Sequence, residues 1–226
     1  MRHLNGLFVT GTDTGVGKTT VSAALMHRYR LDTPLRYWKP IQTGIEESDD
    51  TSDVARLGRC QDRELFQSGI RLPRPVSPHL AARWTDTTIE IAPLLDAIAR
   101  EGHDRSWIVE GAGGVLVPLN DHGQTMADLM IGLELPVIVV ARTTLGTINH
   151  TLLTLDALRR RGLEVAGVVM VGDQNSDNTA AIEQYGSVTV LGHMPRFSPL
   201  TADALEGWSQ VGLDPDGRLL PRLQGR

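Results

Sequence analysis

One stretch of the chain is suited to holding a polyphosphate: it runs from Leu7 to Thr20 and reads LFVTGTDTGVGKTT. Successive backbone N–H groups on a glycine-rich turn, followed by the N-terminus of a helix, supply closely packed donors for phosphate oxygens. Lys18 would place a positive charge near the β- and γ-phosphates, and the Thr19 hydroxyl is a suitable ligand for Mg²⁺. The usual G-x-x-x-x-G-K-[ST] pattern requires its first glycine at position 12. This chain has Thr12 there, and the glycine, Gly11, comes one residue earlier. We interpret the stretch as a phosphate-binding loop of unusual spacing.

Three further charged residues lie at the ends of predicted elements. Lys39 follows a strand at 35–38, Glu110 follows a strand at 107–109, and Asp53 begins a possible short helix. Ligands of open α/β sheets bind outside the carboxyl ends of the strands. A hydroxyl and two carboxylates suit a hard cation, and two lysines suit a phosphoryl group in transit, so the set indicates phosphoryl transfer. Each residue also has a plainer interpretation, with Asp53 as a helix cap and Lys39 as a surface charge.

Alternating strands and helices are predicted to position these residues. Apolar residues recur at helical spacing after the loop, and later apolar runs are typical of strands buried on both faces of a parallel sheet. We therefore expect an α/β fold with a doubly wound, mostly parallel sheet. After the first strand, the predicted strands are 35–38, 107–109, 135–141, 165–171 and 188–191; the predicted helices are 18–29, 89–100 with Thr88 as its cap, and 149–161.

Two segments are less regular. Residues 43–77 are rich in Gly, Asp, Arg and Pro, with one possible short helix at 53–57. A structureless connection of this length is uncommon, so we expect it to contain short helices or to cover a substrate. Residues 1–226 fit a single domain, and the tail 214–226 is expected to be loosely held.

Composition excludes several classes of function. The chain has 226 residues, 41% of them hydrophobic, with a net charge of −5 and a pI of about 5.8. Nucleic acid is not an expected partner, because binding it requires a basic surface. Cys60 is the only cysteine, so no internal disulfide can form, which fits a reducing compartment. The first apolar run is too short for a signal peptide and none is long enough to span a bilayer, so we expect a cytoplasmic protein without membrane contact.

Several motifs together resemble the dethiobiotin synthetase family. They are the loop GTDTGVGKT at 11–19, Lys39-Pro40 followed by Thr43-Gly44, Ser77-Pro78-His79, EGAGG at 110–114 and LGTINH at 145–150. The unusual loop spacing is the form that this family has. The resemblance covers residues 7 to 195 and implies a P-loop NTPase fold, a homodimer with its active site near the subunit interface, and an ATP-dependent ring closure in biotin synthesis.

The reaction implied by this resemblance converts 7,8-diaminopelargonic acid and CO2 into dethiobiotin, with release of ADP and phosphate. One amine captures CO2 as a carbamate, the carbamate oxygen attacks the γ-phosphate, and the second amine closes the ring by displacing phosphate. ATP is then a co-substrate and Mg²⁺ the cofactor. Because no covalent enzyme intermediate is needed, positioning and charge neutralisation must carry most of the rate.

The resemblance also implies roles for individual residues. Lys18 and Lys39 would be the catalytic lysines, on the β/γ-phosphates and near the carbamate respectively. Mg²⁺ would be bound by Thr19, Asp53 and Glu110. The diamine would contact Thr14, Lys39 and Thr43, and its carboxylate would meet the helix start of the partner subunit at Gly146, Thr147, Ile148 and Asn149. The implied nucleotide contacts are Gly15, Val16, Gly17, Lys18, Thr19, Thr20, Asp53, Glu110, Gly111, Ala112, Gly113, Val171, Gly172, Pro195, Arg196 and Phe197.

Two positions depart from the family pattern. Gly15 stands where members often have Glu, which removes a side chain from the loop. Val171-Gly172 stands where many members have Asn-Asp, so the side chains that would read the adenine edge are absent. We therefore hypothesise that base selection is weaker and that CTP or GTP can replace ATP. His79 and His150 are interpreted as structural histidines, because the reaction has no obvious step that needs them.

Two other classes of ATP-using protein are alternatives. Switch ATPases of the ParA/MinD type share the sheet order, but they carry a lysine two residues before the position of Gly15, where this chain has Asp13. The synthetase half of an amidotransferase such as cobyrinic acid a,c-diamide synthase has a similar ATP domain. It also needs a glutaminase domain, for which 226 residues leave no room.

Overall fold

The computed structural model of the protein describes residues 4–102 and 104–225. Its strands are β1 (Gly6–Gly11), β2 (Leu35–Trp38), β3 (Ile41–Thr43), β4 (Leu65–Phe66), β5 (Ile70–Leu72), β6 (Ser106–Gly114), β7 (Val137–Arg142), β8 (Val165–Val171) and β9 (Val190–Met194). Its helices are α1 (Lys18–Tyr29), α2 (Asp50–Leu57), α3 (Pro78–Trp84), α4 (Ile91–Ala99), α5 (Met126–Leu133), α6 (Thr147–Arg159), α7 (Ser176–Gly186), α8 (Ala202–Gly212) and α9 (Leu220–Leu223). A short 3-10 helix, Asp62–Glu64, precedes β4.

Seven of these strands form one sheet in the order β4-β2-β6-β1-β7-β8-β9, and every neighbouring pair is parallel. β3 and β5 form a separate parallel pair. Parallel neighbours need crossover connections, and helices supply most of them here. The sequence-based prediction of a doubly wound, mostly parallel α/β fold is confirmed.

Strand register brings the carboxyl ends of β1, β2 and β6 together. Val9 of β1 lies opposite Glu110 of β6, and Trp38, the last residue of β2, lies opposite Val109. The loop after β1, Lys39 after β2 and Glu110 therefore meet at one edge of the sheet. Glu110 lies within β6, whereas the sequence predicted that this strand ends at residue 109.

Both faces of the sheet are buried, which explains the continuous apolar runs of its central strands. Along β6, Trp107 and Val109 face one hydrophobic layer, and Ile108 faces the other. In the first layer the Phe66 ring centroid lies 5.5 Å from that of Trp107 and 5.7 Å from that of Trp38, with the rings inclined to each other. Such edge-type contacts are favoured between aromatic rings. The apolar side of α1 covers the other layer.

Predicted and observed boundaries agree for α1, β2 and β8 and differ elsewhere. The helix predicted at 89–100 begins two residues later, because Glu90, in an extended conformation, occupies the cap position expected for Thr88. The helix predicted at 149–161 begins at Thr147, directly after Gly146, whose φ is 93°. The strands predicted at 135–141 and 188–191 each begin two residues later.

The segment 43–77 contains short elements, as expected. α2 begins at Asp50, three residues before the predicted helix at 53–57. Asp49 caps it by accepting a hydrogen bond from the Thr51 N–H at 2.9 Å. α2 also packs against α1, and this contact brings the acidic start of α2 beside the phosphate loop.

The C-terminal residues pack against the rest of the chain, which corrects the expectation of a loosely held tail. The Tyr29 hydroxyl donates a hydrogen bond to Asp214 Oδ2 at 2.5 Å, and both residues are almost completely buried. Leu219 and Leu223 are fully buried in the layer that α1 covers. Residues 1 and 226, the limits of the predicted domain, lie outside the described residues.

Among residues 4–102 and 104–225, no helix has the length and apolar character needed to cross a membrane. α6, the longest of them, has 13 residues, whereas a spanning helix needs about 20.

The buried Tyr29 hydroxyl provides a test of the C-terminal packing. The Tyr29→Phe variant leaves Asp214 with one hydrogen bond fewer, so its free energy of unfolding should fall by about 1–3 kcal/mol. Burial and the contact with Asp214 raise the pKa of Tyr29 above its usual value of 10.0. The hydroxyl should therefore stabilise the protein fully below that pH, and its contribution should shrink as the unfolded-state tyrosine ionises above it.

Urea unfolding at pH 7 and above pH 10 measures both effects. Tyr185→Phe is a matched control, because the Tyr185 side chain is 70% exposed, and it should change the stability by less than about 0.5 kcal/mol. Equal stabilities of Tyr29→Phe and wild type at pH 7 would contradict the expected role.

Candidate active site

The phosphate loop connects β1 to α1, in the strand-loop-helix context that the sequence predicts. Its Thr12 N–H donates to the carbonyl of Val140 at 3.0 Å, which ties the loop to β7. Lys18 Nζ donates to the carbonyl of Asp13 at 3.1 Å, so the lysine folds back over the loop. Because α1 begins at Lys18, the helix N-terminus adjoins the loop and favours anions there.

A buried charge cluster lies beside this loop. Lys39 Nζ is 2.6 Å from Asp50 Oδ2 and 2.8 Å from Glu110 Oε1, and it also donates to the carbonyl of Gly111 at 3.0 Å. The Lys39 side chain is 3% exposed and that of Glu110 is 1% exposed. Burying charged groups is costly unless they are paired and hydrogen-bonded, and here each one is.

Two hydroxyl groups complete the cluster. Thr19 Oγ1, on the first turn of α1, lies 3.1 Å from Asp50 Oδ1 and 3.0 Å from Glu110 Oε1. The Tyr37 hydroxyl donates to the second oxygen of Glu110 at 2.9 Å. The oxygens of Thr19, Asp50 and Glu110 therefore converge, and such hard oxygen donors are the ligand type that Mg²⁺ prefers.

The pKa values of the two lysines at the site are shifted in opposite directions. Burial by itself lowers the pKa of Lys39, but the carboxylates of Glu110 and Asp50 outweigh that effect and hold it above the usual value. Burial raises the pKa of Asp50, but the Lys39 ammonium outweighs it and holds that pKa below the usual value. Lys18, buried and close to the Lys39 charge, has a pKa lowered to about 8. Lys39 is therefore held as an ammonium between two carboxylates.

The sequence singled out a different carboxylate of α2. Asp53 lies one turn further along the helix, about 4.5 Å in rise from Asp50, and its Oδ1 pairs with Arg56 Nη2 at 2.6 Å. Its side chain is 41% exposed, so Asp53 is not part of the charge cluster. Asp50 occupies the place that was predicted for Asp53. Recognition of Asp49 as the cap would have made Asp50 the first residue of the helix.

A cavity of about 500 Å³ lies against the loop and the charge cluster. Lys39 and Glu110 line it, at the carboxyl ends of β2 and β6. Most other predicted residues of this region line it too: Thr14, Gly15, Gly17, Lys18, Thr19, Thr20, Thr43, Ala112 and Gly113. Val16 is instead buried in the core, and Gly111 contributes only its carbonyl to Lys39. Lining residues that sequence reasoning did not assign include Gln42, Ser48, Asp50, Val76 and Val117.

The segments predicted to meet the nucleotide base lie beside the loop but do not line this cavity. A Cβ atom on Gly17 would lie 3.2 Å from the nearest methyl of Val171, so the end of β8 packs next to the loop. The Gly172 N–H donates to the carbonyl of Met194 at 2.9 Å, which joins it to the end of β9. Pro195, Arg196 and Phe197 follow directly, and Phe197 packs on the core layer covered by α1.

The start of α6 is also separate from the 500 Å³ cavity. A second cavity, of about 410 Å³, is lined by residues 12–14, Leu116, His150 and Leu153, among others. Gly146, Thr147, Ile148 and Asn149 line neither cavity. Leu116, Leu145 and Leu153 are more than half exposed, and Leu116 and Leu153 line the second cavity. Within one chain, the helix start predicted to bind the carboxylate of the substrate therefore does not line the cavity that contains Lys39.

Known proteins resemble this chain along almost its whole length. The ATP-dependent dethiobiotin synthetase BioD of Paramagnetospirillum magneticum is 48% identical over 204 residues, covering 90% of this chain and 94% of the relative. The chain belongs to the ATP-dependent dethiobiotin synthetase family. A second synthetase of this family, from Agrobacterium fabrum, is 45% identical over 197 residues, covering 87% of this chain and 89% of the relative. A family model described as an AAA domain matches residues 5–204.

Solved structures show the fold that this synthetase-family chain shares with other ATPases. A plasmid partition protein from Borrelia burgdorferi bound to AMPPNP aligns with a TM-score of 0.59 and 12% identity over 99% of both chains. The MinC:MinD complex of Aquifex aeolicus aligns with a TM-score of 0.55 and 15% identity, over 98% of this chain and 96% of that one. At such identities the likeness shows the fold alone. The switch-ATPase alternative therefore gains no functional support from it.

Two loop glycines should respond differently to substitution. Gly15 has φ 68° and no atom within 4 Å of the place that a Cβ would take, whereas Gly17 has φ 102° and the Val171 methyls at 3.2 and 3.3 Å from that place. Gly15→Ala should therefore cost about 1 kcal/mol of unfolding free energy, from backbone strain alone. Gly17→Ala should cost about 2–3 kcal/mol, because strain and crowding add. Urea unfolding compares the two variants, and equal losses would contradict this distinction.

Proposed function

We propose that the protein is an ATP-dependent dethiobiotin synthetase, which converts 7,8-diaminopelargonic acid and CO2 into dethiobiotin with release of ADP and phosphate. The observation that carries the proposal is the cavity, in a member of the synthetase family, where a phosphate loop meets Lys39 held between Asp50 and Glu110. Phosphoryl transfer requires such a combination of anion cradle and fixed charges.

The proposed reaction has three steps. One amine of the substrate adds to CO2 and loses a proton, which gives a carbamate. A carbamate oxygen then attacks the γ-phosphorus and ADP leaves, so that a mixed carbamic-phosphoric anhydride forms. The second amine attacks the carbonyl carbon and phosphate departs, which closes the cyclic urea. Lys18 and Lys39 are proposed to stabilise the charge on the transferring phosphoryl group, with Lys39 on the carbamate side.

Mg²⁺ is the proposed cofactor, with Thr19, Asp50 and Glu110 as the residues that would hold it. These three oxygen donors fit the ion because the Thr19 hydroxyl lies within 3.1 Å of both carboxylates at the base of the phosphate loop. Bound with ATP, the ion would neutralise charge on the phosphate oxygens. Asp53 is omitted from this set, since its carboxylate pairs with Arg56 outside the cluster.

The diamine is proposed to bind between the loop and the end of β3, where Thr14, Lys39 and Thr43 line the cavity. Its carboxylate would meet the N-terminus of α6, at Gly146 to Asn149, supplied by a second subunit, because the α6 start of the same chain does not line that cavity.

The exposed leucines 116, 145 and 153 support a homodimer, since apolar surface of this kind commonly marks an interface. The net charge of −5 supports a protein without nucleic-acid or membrane partners, and we propose a cytoplasmic location.

The nucleotide is proposed to bind with its phosphates at Gly15 to Thr20 and its base near Val171, Gly172 and residues 195–197. Gly172 has no side chain, and a Cβ atom there would lie 2.3 Å from Thr143 Oγ1. At Gly172, contacts to the base would therefore come from backbone groups, which supports the use of CTP or GTP beside ATP.

The central test is product formation. The protein is incubated with 7,8-diaminopelargonic acid, bicarbonate, Mg²⁺ and ATP, and the cyclic urea is detected by mass spectrometry. Parallel reactions with CTP, GTP and UTP compare kcat/KM among nucleotides. Absence of dethiobiotin with folded protein would refute the proposed function, and a strong preference for ATP alone would refute the proposed weak base selection.

Two carboxylates of α2 give a matched test of the metal site. Asp50→Asn should lower turnover by about 100-fold or more and raise the Mg²⁺ concentration needed, because it removes a proposed ligand. Asp53→Asn makes the same chemical change one turn away and should stay within about 3-fold of wild type. Turnover is measured as a function of Mg²⁺ concentration. A larger effect of Asp53→Asn than of Asp50→Asn would restore the role first predicted for Asp53.

The two lysines should separate binding from turnover. Lys39→Ala should retain ATP affinity within about 3-fold and lose turnover by about 1,000-fold, because Lys39 lies on the substrate side of the cavity. Lys18→Ala should also weaken ATP binding by about 10-fold or more, since a charge-assisted hydrogen bond is worth about 1.5–3 kcal/mol. ATP dissociation constants and turnover are measured on variants whose folding is verified by circular dichroism. Equal ATP affinities in the two variants would contradict this division of roles.

A further inference from the structure

Arg142 connects the phosphate loop to the last residue of β7. Its Nη2 lies 3.1 Å from Asp13 Oδ2 and donates to the carbonyl of Thr14 at 2.9 Å. Asp13 is itself a centre of loop contacts: its other carboxylate oxygen accepts the Thr14 N–H at 2.7 Å, and its carbonyl accepts Lys18 Nζ at 3.1 Å. One guanidinium therefore fixes two successive loop residues.

The same residue contacts the start of α6 through its backbone. The Arg142 carbonyl accepts a hydrogen bond from Thr147 Oγ1 at 2.5 Å, and Thr147 is the first residue of α6. Arg142 thus joins loop residues 13 and 14 to the helix that follows β7. A displacement of either segment would strain contacts made by one residue.

The two loop residues that Arg142 contacts also line the cavities described above. Thr14 lines both cavities, whereas Asp13 lines only the 410 Å³ cavity. A shift in the Thr14 backbone would change the shape of both. The guanidinium contacts Asp13 and Thr14, so the direct effect of Arg142 is on the loop residues that line the 410 Å³ cavity.

Stability alone does not account for this arrangement. The side chains of Arg142 and Asp13 are 43% and 54% exposed, and exposed ion pairs contribute little to folding. Arg142 adds little to the stability of the fold, but it fixes the position of Thr14 in the cavity wall. Removing it should change binding at the wall while the fold remains intact.

We propose that Arg142 is a positioning residue for the diamine substrate: it ties Asp13 and Thr14 to the end of β7, so that Thr14 faces the substrate in a fixed geometry. This inference rests on the proposed function. Arg142 itself does not contact the reacting atoms. Its effect passes through Thr14, so it belongs to substrate binding more than to the chemical step or the binding of ATP.

The test compares steady-state kinetics of wild type and Arg142→Gln. The variant should raise the KM for the diamine by about 10-fold, with kcat and the KM for ATP within about 3-fold and an unchanged melting temperature. Arg142→Lys retains a cationic donor, so its KM for the diamine should rise by only about 3-fold or less. Arg160→Gln is the matched control, because it removes an exposed arginine paired with Asp156 at 2.7 Å on α6, away from the loop.

A second readout does not depend on turnover. Hydrogen exchange of peptides covering residues 12–16 should be faster in Arg142→Gln than in wild type and unchanged in Arg160→Gln. An unchanged diamine KM in Arg142→Gln, or an equal rise in the two KM values, would overturn the inference while leaving the proposed function intact. If wild type forms no dethiobiotin, the proposed function itself fails.

Discussion

Burial of the Glu110 carboxylate is the constraint on which the site depends. A charge with almost no access to water must be matched by donors, and Glu110 receives them from Lys39, Tyr37 and Thr19. These partners come from β2, the residue after it, and the first turn of α1. The parallel register of β2 and β6 and the path of the loop into α1 must therefore be correct at the same time. Loss of any one partner leaves a buried charge less well paired.

The same constraint determines where α2 lies. Lys39 needs a second carboxylate for full pairing, and Asp50 supplies it from the segment between β3 and β4. A region without long periodicity in its sequence thus gains a fixed position, because its helix N-terminus carries a charge that the buried lysine attracts. Arg71 supports the arrangement from β5 by donating to the carbonyl of Lys39 at 2.8 Å.

The sequence predicted the parts of this site that local pattern determines. α1, β2 and β8 have strong periodicity or continuous apolar runs, and their limits agree with the structure. Lys39 and Glu110 could be chosen because each follows an apolar strand segment. Asp50 could not, since several acidic residues stand near the start of α2 and only the fold decides which one reaches Lys39.

Other features depend on contacts between distant residues. Tyr37 looks like an ordinary strand residue, and its hydroxyl partner is 73 positions away. The tail 214–225 has few local signals, and its packing depends on buried leucines that match a surface formed by α1 and the sheet. The plasmid partition protein shares the fold of this chain at only 12% identity. A shared sheet can place a loop between the first strand and the first helix, but the side chains at the strand ends decide the chemistry.

The pairing of Tyr29 with Asp214 joins residues 185 positions apart. During synthesis on the ribosome, the helix that follows the phosphate loop is made first, and the acceptor for its buried hydroxyl is made 185 residues later. The inner face of α1 therefore remains incompletely covered until Asp214, Leu219 and Leu223 have left the exit tunnel. The helix next to the phosphate loop is thus made early in synthesis and completes its packing only after a much later segment has been made.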